Sequence, residues 1–257
     1  MVKALRHIRI KELLSEKGAI DVQTLSRELD TSAVTIRNDL IHLEQEGFLV
    51  RTYGGAVLCG SQAIAPVAAR PASSENLEEA AQLAAQYVKP STWIMLGFGS
   101  TCRAMARHLL NMDIGIVTGN LDAVMILSAS QKAQILLPGG YLSKKNDYLF
   151  TSGEWYQKSL SSFAVDQAYI SVAGIDPSGF TLDSASECST LELLRTISKE
   201  MVLVSDSSKF DRTSFFRIGD FSFVDTIISD DGTPEAYHNI CRESGVRLIT
   251  PSRVIDR

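Results

Sequence analysis

Two stretches of this chain hold residues whose types and spacing suit recognition of bases and anions. One is Val34-Thr35-Ile36-Arg37-Asn38; the other is Gly97-Phe98-Gly99-Ser100-Thr101. On a helix that turns about 100° per residue, Ile36, Leu40 and Leu43 share one apolar stripe. Val34, Asn38, Ile41 and Gln45 then lie opposite, with Arg37 and Thr35 on the flanks. Asparagine pairs bidentately with adenine, arginine takes guanine or a phosphate, and a side chain with methyl groups suits a thymine methyl. Asp39 flanks the stripe and reads as a local hydrogen-bond partner rather than a DNA contact. Further on, Arg51 and Tyr53 precede Gly54 and Gly55 at the tip of a hairpin, where an arginine reaches a minor groove or a phosphate. Two readings stand for the glycine pair: part of a DNA-facing wing, or turn formers alone.

The second stretch follows the apolar run Trp93–Leu96 and opens into a helical pattern. Glycines let backbone approach an anion, and a helix start adds free N–H groups and the positive end of its dipole. Ser100 and Thr101 add hydroxyl donors. Such a loop is either a phosphate cradle or only a turn. The remaining strand ends raise the first reading. They supply Thr118-Gly119-Asn120, Pro138-Gly139-Gly140, Ala173-Gly174-Ile175-Asp176 and Asp206-Ser207-Ser208-Lys209-Phe210, a polar rim with one obvious cation, Lys209. Lysine serves there as a point-charge donor.

Both stretches need elements to position them. Ahead of Val34, Leu5–Lys17 reads as a helix with Ile8, Leu13 and Leu14 on one side, and Val22–Leu29 as a second helix capped by Asp21. With the short turn Asp30-Thr31-Ser32 and Ser32 as N-cap, the spacing is that of a helix-turn-helix. After Gly47 the alternation of Phe48, Val50 and Thr52, then Ala56–Leu58, predicts a two-stranded wing. Residues 60–74, with Pro66, Pro71 and several Ala and Ser, have linker composition. The expected domains are residues 1–59, a linker at 60–74, and residues 75–257. In the last of these, apolar runs alternate with helical segments, which predicts an α/β fold with a mostly parallel sheet covered on both faces. Ligands in such sheets bind at the carboxyl ends of the strands.

Composition sets bounds. The chain has 257 residues, 45% hydrophobic and 21% charged, which suits two packed domains. Its formal net charge is −5, and residues 1–58 balance eight Lys/Arg with eight Asp/Glu, so overall charge does not reveal DNA binding. Local placement does fit, since Lys3, Arg6, Arg9 and Lys11 precede the first acid, Glu12. Cys59, Cys102, Cys188 and Cys241 stand far apart and suggest neither a zinc site nor a disulfide framework. His7, His42, His108 and His238 are scattered and read as surface residues; Trp93 and Trp155 read as core or pocket wall. No metal and no cofactor is expected. Gly97-Phe98-Gly99 lacks the later glycine of a dinucleotide fingerprint. No apolar run approaches ~18 residues, so no membrane contact is expected and the location is expected to be cytoplasmic.

These motifs resemble a known family. Thr35-Ile36-Arg37-Asn38-Asp39-Leu40 and Arg51-Thr52-Tyr53-Gly54-Gly55-Ala56 are similar to the recognition helix and wing of DeoR-type bacterial repressors. The resemblance continues through Gly99-Ser100-Thr101, Gly139-Gly140, Gly153, Gly174-Ile175-Asp176 with Gly179, Glu187 and Asp206–Phe210, so it covers nearly the whole chain. It implies a winged helix-turn-helix head and a sensor domain similar in fold to ribose-5-phosphate isomerase. It further implies that Gly99, Ser100, Thr101 and Lys209 hold the phosphate of a phosphorylated sugar, while Thr118, Asn120, Gly139, Gly140, Asp176 and Glu187 shape the rest of the pocket. The DNA-contacting set is then Val34, Thr35, Arg37, Asn38, Arg51, Tyr53 and Gly54.

Departures from the family pattern are informative. Many relatives have arginine at Asn38, an acid at Gly97, Thr-Asn-Ser where this chain has Thr118-Gly119-Asn120, aspartate at Ala173 and lysine at Leu77. The preferred operator and the sugar end of the pocket are therefore expected to differ. The expected function is a repressor of a carbohydrate-metabolism operon, released from operator DNA by a phosphorylated metabolite and acting as a homo-oligomer, because one small head offers few base contacts. The alternative is an isomerase- or deaminase-like enzyme with an accessory DNA-binding head. Its candidate carboxylates are Asp176, Glu187 and Asp206.

Overall fold

The computed structural model describes residues 3–17, 19–45, 48–52, 55–58, 74–145 and 148–256. Two compact units divide the chain, residues 1–70 and 71–257.

The first unit contains α1 (Lys3–Lys17), β1 (Ala19–Asp21), α2 (Val22–Glu28), α3 (Ala33–Gln45), β2 (Leu49–Thr52) and β3 (Gly55–Leu58). Asp21 caps α2 by accepting from the Thr24 N–H at 2.8 Å. Ile10, Leu13, Leu14, Leu25, Ile36, Leu40 and Leu43 form its core. Ile8 does not join them: it is 53% exposed, and Ile10 takes the buried place. The stripe of α1 thus runs through residues 10, 13 and 14, the i, i+3, i+4 pattern of one helix face. The wing also differs from expectation. Its sheet has three strands in the order β1-β3-β2, all antiparallel, with Asp21 opposite Gly55. A Cβ at Gly55 would lie 2.5 Å from the Ile20 carbonyl oxygen, so this glycine serves the approach of β1.

The second unit begins with α4 (Glu75–Tyr87), β4 (Trp93–Leu96), α5 (Gly99–His108), β5 (Gly115–Val117), α6 (Leu121–Leu127) and β6 (Gln134–Leu136). A hairpin of β7 (Tyr141–Lys145) and β8 (Tyr148–Ser152) follows, then α7 (Glu154–Leu160), β9 (Val165–Ile170), β10 (Gly174–Asp176), β11 (Gly179–Leu182) and α8 (Ala185–Ile197). The chain closes with β12 (Ser198–Val204), β13 (Phe216–Gly219), β14 (Thr226–Ile228), α9 (Glu235–Glu243), β15 (Arg247–Thr250) and β16 (Arg253–Ile255).

The main sheet has eight strands in the order β16-β15-β14-β12-β9-β4-β5-β6, parallel except for β16 on β15. Strand residues alternate between its two faces. Ile94 and Leu96 join the apolar layer under α4, α5 and α6, while Met95 joins the layer on the opposite face. From β4 the chain moves outward to β5 and β6, then returns to place β9 on the other side of β4. This reversal makes the β4/β9 junction a topological switch point, where a crevice opens at the strand ends. A smaller antiparallel sheet, β10-β11-β13, is built from strands that alternate in the chain with β9, β12 and β14 of the large one. Sequence patterning had missed it, together with the hairpin, α7 and β16. Among the described residues no helix is long and apolar enough to cross a membrane.

Candidate functional site

In the first unit, Ser32 caps α3 by accepting from the Thr35 N–H at 3.2 Å, and its hydroxyl lies 2.9 Å from that of Thr35. The cap fixes where α3 begins and so which residues face outward. Val34 is 65% exposed, and Arg37 and Asn38 are exposed beside it. An apolar group between two donors at a helix start is what a major-groove reader presents. Thr35 is half-buried and engaged by the cap. Arg51 falls on β2 opposite Ala56, whereas Tyr53 and Gly54 lie outside the described residues.

Asp39 was expected to bond locally; instead it reaches across the unit. Its buried carboxylate accepts from Arg6 Nε at 2.5 Å and Arg6 Nη2 at 3.0 Å, with His7 Nε2 3.0 Å from Oδ1. Burial pushes the Asp39 carboxyl up, but hydrogen bonds from Arg6 and His7 and their charges prevail and hold it below its ordinary value. Of the histidines expected at the surface, His42 is exposed, whereas His7 bonds Asp39, His108 lies 2.8 Å from Glu78, and His238 is buried. Conversely Trp93 and Trp155, expected as core or pocket wall, are 39% and 66% exposed.

In the second unit a pocket of about 720 Å³ opens at the carboxyl ends of β4, β9 and β12. It brings together Gly99, Ser100, Thr101, Glu187 and Lys209 from the expected set. Gly99 adopts φ +92°, a conformation that favours glycine, and α5 starts there with no side-chain cap at Phe98. Its first-turn N–H groups are left for an anion. Lys209 enters from a short 3-10 turn after β12, set by Asp206 accepting from the Ser208 N–H at 2.9 Å.

Sequence reasoning had missed other pocket residues. Lys145, on β7, places its Nζ 2.6 Å from Glu187 Oε1 and 3.4 Å from Asp183 Oδ2. The Ser214 hydroxyl donates a short hydrogen bond to Asp183. That bond, against the upward push of burial and with added help from Lys145 and Lys209, holds the Asp183 carboxyl below its ordinary value. Arg212 supplies another cation to the lining.

Five expected residues do not reach the pocket. Thr118 and Asn120 are buried and are not part of its lining. Asn120 caps α6 through the Ala123 N–H at 3.2 Å, and its Nδ2 donates to the carbonyls of Gly97 at 3.5 Å and Gly99 at 3.4 Å. It braces the cradle from the far side. Gly139 and Gly140 lie in the turn between β6 and β7, away from the switch point. Asp176 sits on the small sheet, where Arg217 Nη2 at 2.7 Å, Arg217 Nη1 at 3.1 Å and the Thr213 hydroxyl at 2.8 Å occupy it. The Arg217 hydrogen bonds above all hold its carboxyl down at about 2. Of the three candidate carboxylates, Glu187 lines the pocket while Asp176 and Asp206 do not.

Two departures from the family pattern have a packing counterpart. A Cβ at Gly119 would meet the Tyr156 ring at 2.7 Å and its hydroxyl at 2.9 Å, so Tyr156 fills the room a side chain there would need. Leu77 is buried in an apolar layer. Two others border the pocket: Gly97 and Ala173 are part of its wall and offer no polar side chain.

Comparison with known proteins bears on both units. The family model described as DeoR-like helix-turn-helix domain matches residues 6–62, and that described as DeoR C terminal sensor domain matches residues 73–231. The chain is 28% identical over 251 residues to the HTH-type transcriptional repressor GlcR of Bacillus subtilis, covering 97% of this chain and 96% of that one. It is 29% identical over 251 residues to the glycerol-3-phosphate regulon repressor of Escherichia coli, covering 96% and 99%. Among solved structures, ribose 5-phosphate isomerase from Methanocaldococcus jannaschii aligns with a TM-score of 0.38 at 19% identity, over 54% of this chain and 55% of that one. With an exposed recognition helix in one unit, an uncapped helix start facing a pocket in the other, and family models matching both, the chain belongs to the DeoR family of DNA-binding transcriptional regulators.

Proposed function

We propose that this regulator represses a carbohydrate-metabolism operon and leaves its operator when a phosphorylated sugar or related metabolite fills the sensor pocket. Residues 1–59 act as the DNA-binding head, 60–74 as the linker and 75–257 as the sensor. The observation that carries this reading is the uncapped start of α5 at Gly99, Ser100 and Thr101, sharing one pocket with Lys209. A phosphate there gains backbone donors, a helix dipole and an ammonium at once. The E. coli relative is named for a regulon of glycerol 3-phosphate, itself a phosphorylated metabolite. Val34, Arg37, Asn38 and Arg51 make the DNA contacts, with Thr35 holding the helix start. Tyr53 and Gly54 complete the wing.

The protein acts as a homo-oligomer in the cytoplasm and does not turn its ligand over. Glu187, the candidate base that lines the pocket, is held by Lys145 in an ion pair. The test is a gel-shift titration of full-length protein on DNA upstream of its own gene, with a panel of sugar phosphates, beside a turnover assay on the same compounds. Release of DNA by one of them without consumption supports the reading. Turnover with no effect on DNA would replace it with the enzymatic alternative.

A further inference from the structure

Beside the pocket that holds the cradle lies a second chamber of about 340 Å³. Phe98, Glu187 and Thr190 line both cavities, so the two adjoin. Their chemistry differs. The first holds Lys145, Lys209 and Arg212; of the described residues that line the second, none is Lys, Arg or His. The second has instead a wall of aromatic rings: Phe98 stands with its centroid 5.0 Å from Phe150 and 5.7 Å from Tyr156. Around the rings are small hydroxyl side chains, the amide of Gln157 and the carboxylates of Glu154 and Glu187, the latter fixed by Lys145 from the other cavity.

An anion has no counter-charge there and would face the carboxylates of Glu154 and Glu187. The hydroxyls of Ser152, Ser189 and Thr190 and the Glu187 carboxylate already have protein partners, but they keep lone pairs that the hydroxyls of a ligand can use and a purely apolar group cannot. What fits is a neutral ring that is polyhydroxylated at its edge and carries C–H groups on its faces. Its C–H face packs on the electron-rich aromatic faces, and its hydroxyls donate to Glu187 and exchange hydrogen bonds with the serines.

We propose that the chamber walled by Phe98, Phe150 and Tyr156 is a subsite for the ring of a phosphorylated aldopyranose whose phosphate sits at Gly99–Thr101. The inference rests on the phosphate reading of the first cavity. It makes the effector a cyclic hexose phosphate rather than a three-carbon polyol phosphate, with ring contacts supplying selectivity and the cradle supplying affinity.

Ser189 provides the test. It lines the second chamber, is absent from the lining of the first, and is exposed on α8. Ser189→Trp would fill the chamber. Binding of inorganic phosphate, glycerol 3-phosphate and hexopyranose 6-phosphates to full-length wild type and variant is measured by calorimetry, with operator affinity in the absence of ligand as the check on folding. The expected result is that wild type prefers a hexopyranose 6-phosphate, and that Ser189→Trp weakens it at least about 10-fold while inorganic phosphate and glycerol 3-phosphate bind unchanged. Phe150→Ala should weaken the same compound selectively. If wild type binds hexose and glycerol phosphates equally and Ser189→Trp alters neither, the subsite is overturned while the cradle stands. If no phosphate compound binds wild type, both readings fall.

Discussion

Arg6 on α1 and Asp39 on the recognition helix form a buried bidentate ion pair, Nε to Oδ2 at 2.5 Å and Nη2 to Oδ1 at 3.0 Å. The pair joins the first helix to the third across 33 residues and fixes the rotation of α3 about its axis. That rotation decides whether Arg37 and Asn38 face outward together. Removing one partner strands the other charge in a core, at a cost of about 3–5 kcal/mol. Asp39→Ala should therefore unfold the head, with loss of operator binding and of helical signal from α1–α3. The thermal transition of the sensor unit should persist. A variant that binds operator as the wild type does would show that the pair is dispensable.

Acid should act on both units through paired carboxylates. Asp39 and Asp176 are held below the ordinary value of 3.8, Asp176 at about 2. A carboxylate depressed in the folded state binds protons more readily in the unfolded chain, so its stabilisation is complete above 3.8 and is lost as pH falls toward the folded value. Stability to urea should thus decline from about pH 4 to pH 2. In Asp176→Asn the decline should be shallower, because one linked group is gone. Equal slopes for the two proteins would remove Asp176 from the account.

On the head, Arg37→Ala should weaken operator binding by about 1–3 kcal/mol if the guanidinium contacts a base, with the fold intact because Arg37 is exposed. Gel shifts at one fixed salt concentration read this directly. Asn38→Arg restores the residue common among relatives, so selection from a random DNA pool should return a different preferred site. The same motif from both proteins would take Asn38 out of base reading.

What the sequence made legible, and what it hid, follows from range. Ser32 and Asp21 signal their helix starts within three residues, and each is found accepting from the N–H three residues on; Asn120 does the same for α6, although it was expected in the pocket. The stripe of α3 was equally local. The misplacement of Ile8 was an error of phase: it stands five and six positions before Leu13 and Leu14, on another side of the helix, whereas Ile10 stands three and four before them and is the one buried. Strand β1, three residues long, has too little alternation to read. Within the pocket, the rule of strand ends holds only at the switch point: loops after β4, β9 and β12 converge, while those after β5 and β6 lie one and two strands farther out. Hence Asn120, Gly139 and Gly140 miss the ligand side. Lys145 was hidden by a separation of 42 residues from Glu187. A local signal existed, since Asn146 and Asp147 are residue types that favour turns and stand between two runs with strand formers.

The sensor pocket offers the sharpest separation of binding from coupling. Lys209 lines the cavity from a turn whose backbone closes on Asp206, the Lys209 N–H reaching the Asp206 carbonyl at 3.1 Å, independently of the lysine side chain. Its substitution should leave the fold and the head untouched. A hydrogen bond to a charged group contributes about 1.5–3 kcal/mol, so Lys209→Gln should weaken the inducing phosphate roughly 10- to 150-fold. Lys209→Glu, which sets a negative charge against the phosphate, should abolish the response within the accessible concentration range. Both variants should bind operator as the wild type does without ligand, giving a repressor that stays on DNA. A ligand shifts the DNA-bound equilibrium only by its differential affinity for the two states, so the midpoint of operator release must move with the midpoint of ligand binding. Release of DNA by Lys209→Glu at the wild-type ligand concentration would place the phosphate elsewhere, and Arg212, the neighbouring cation of the lining, would be the next residue to replace.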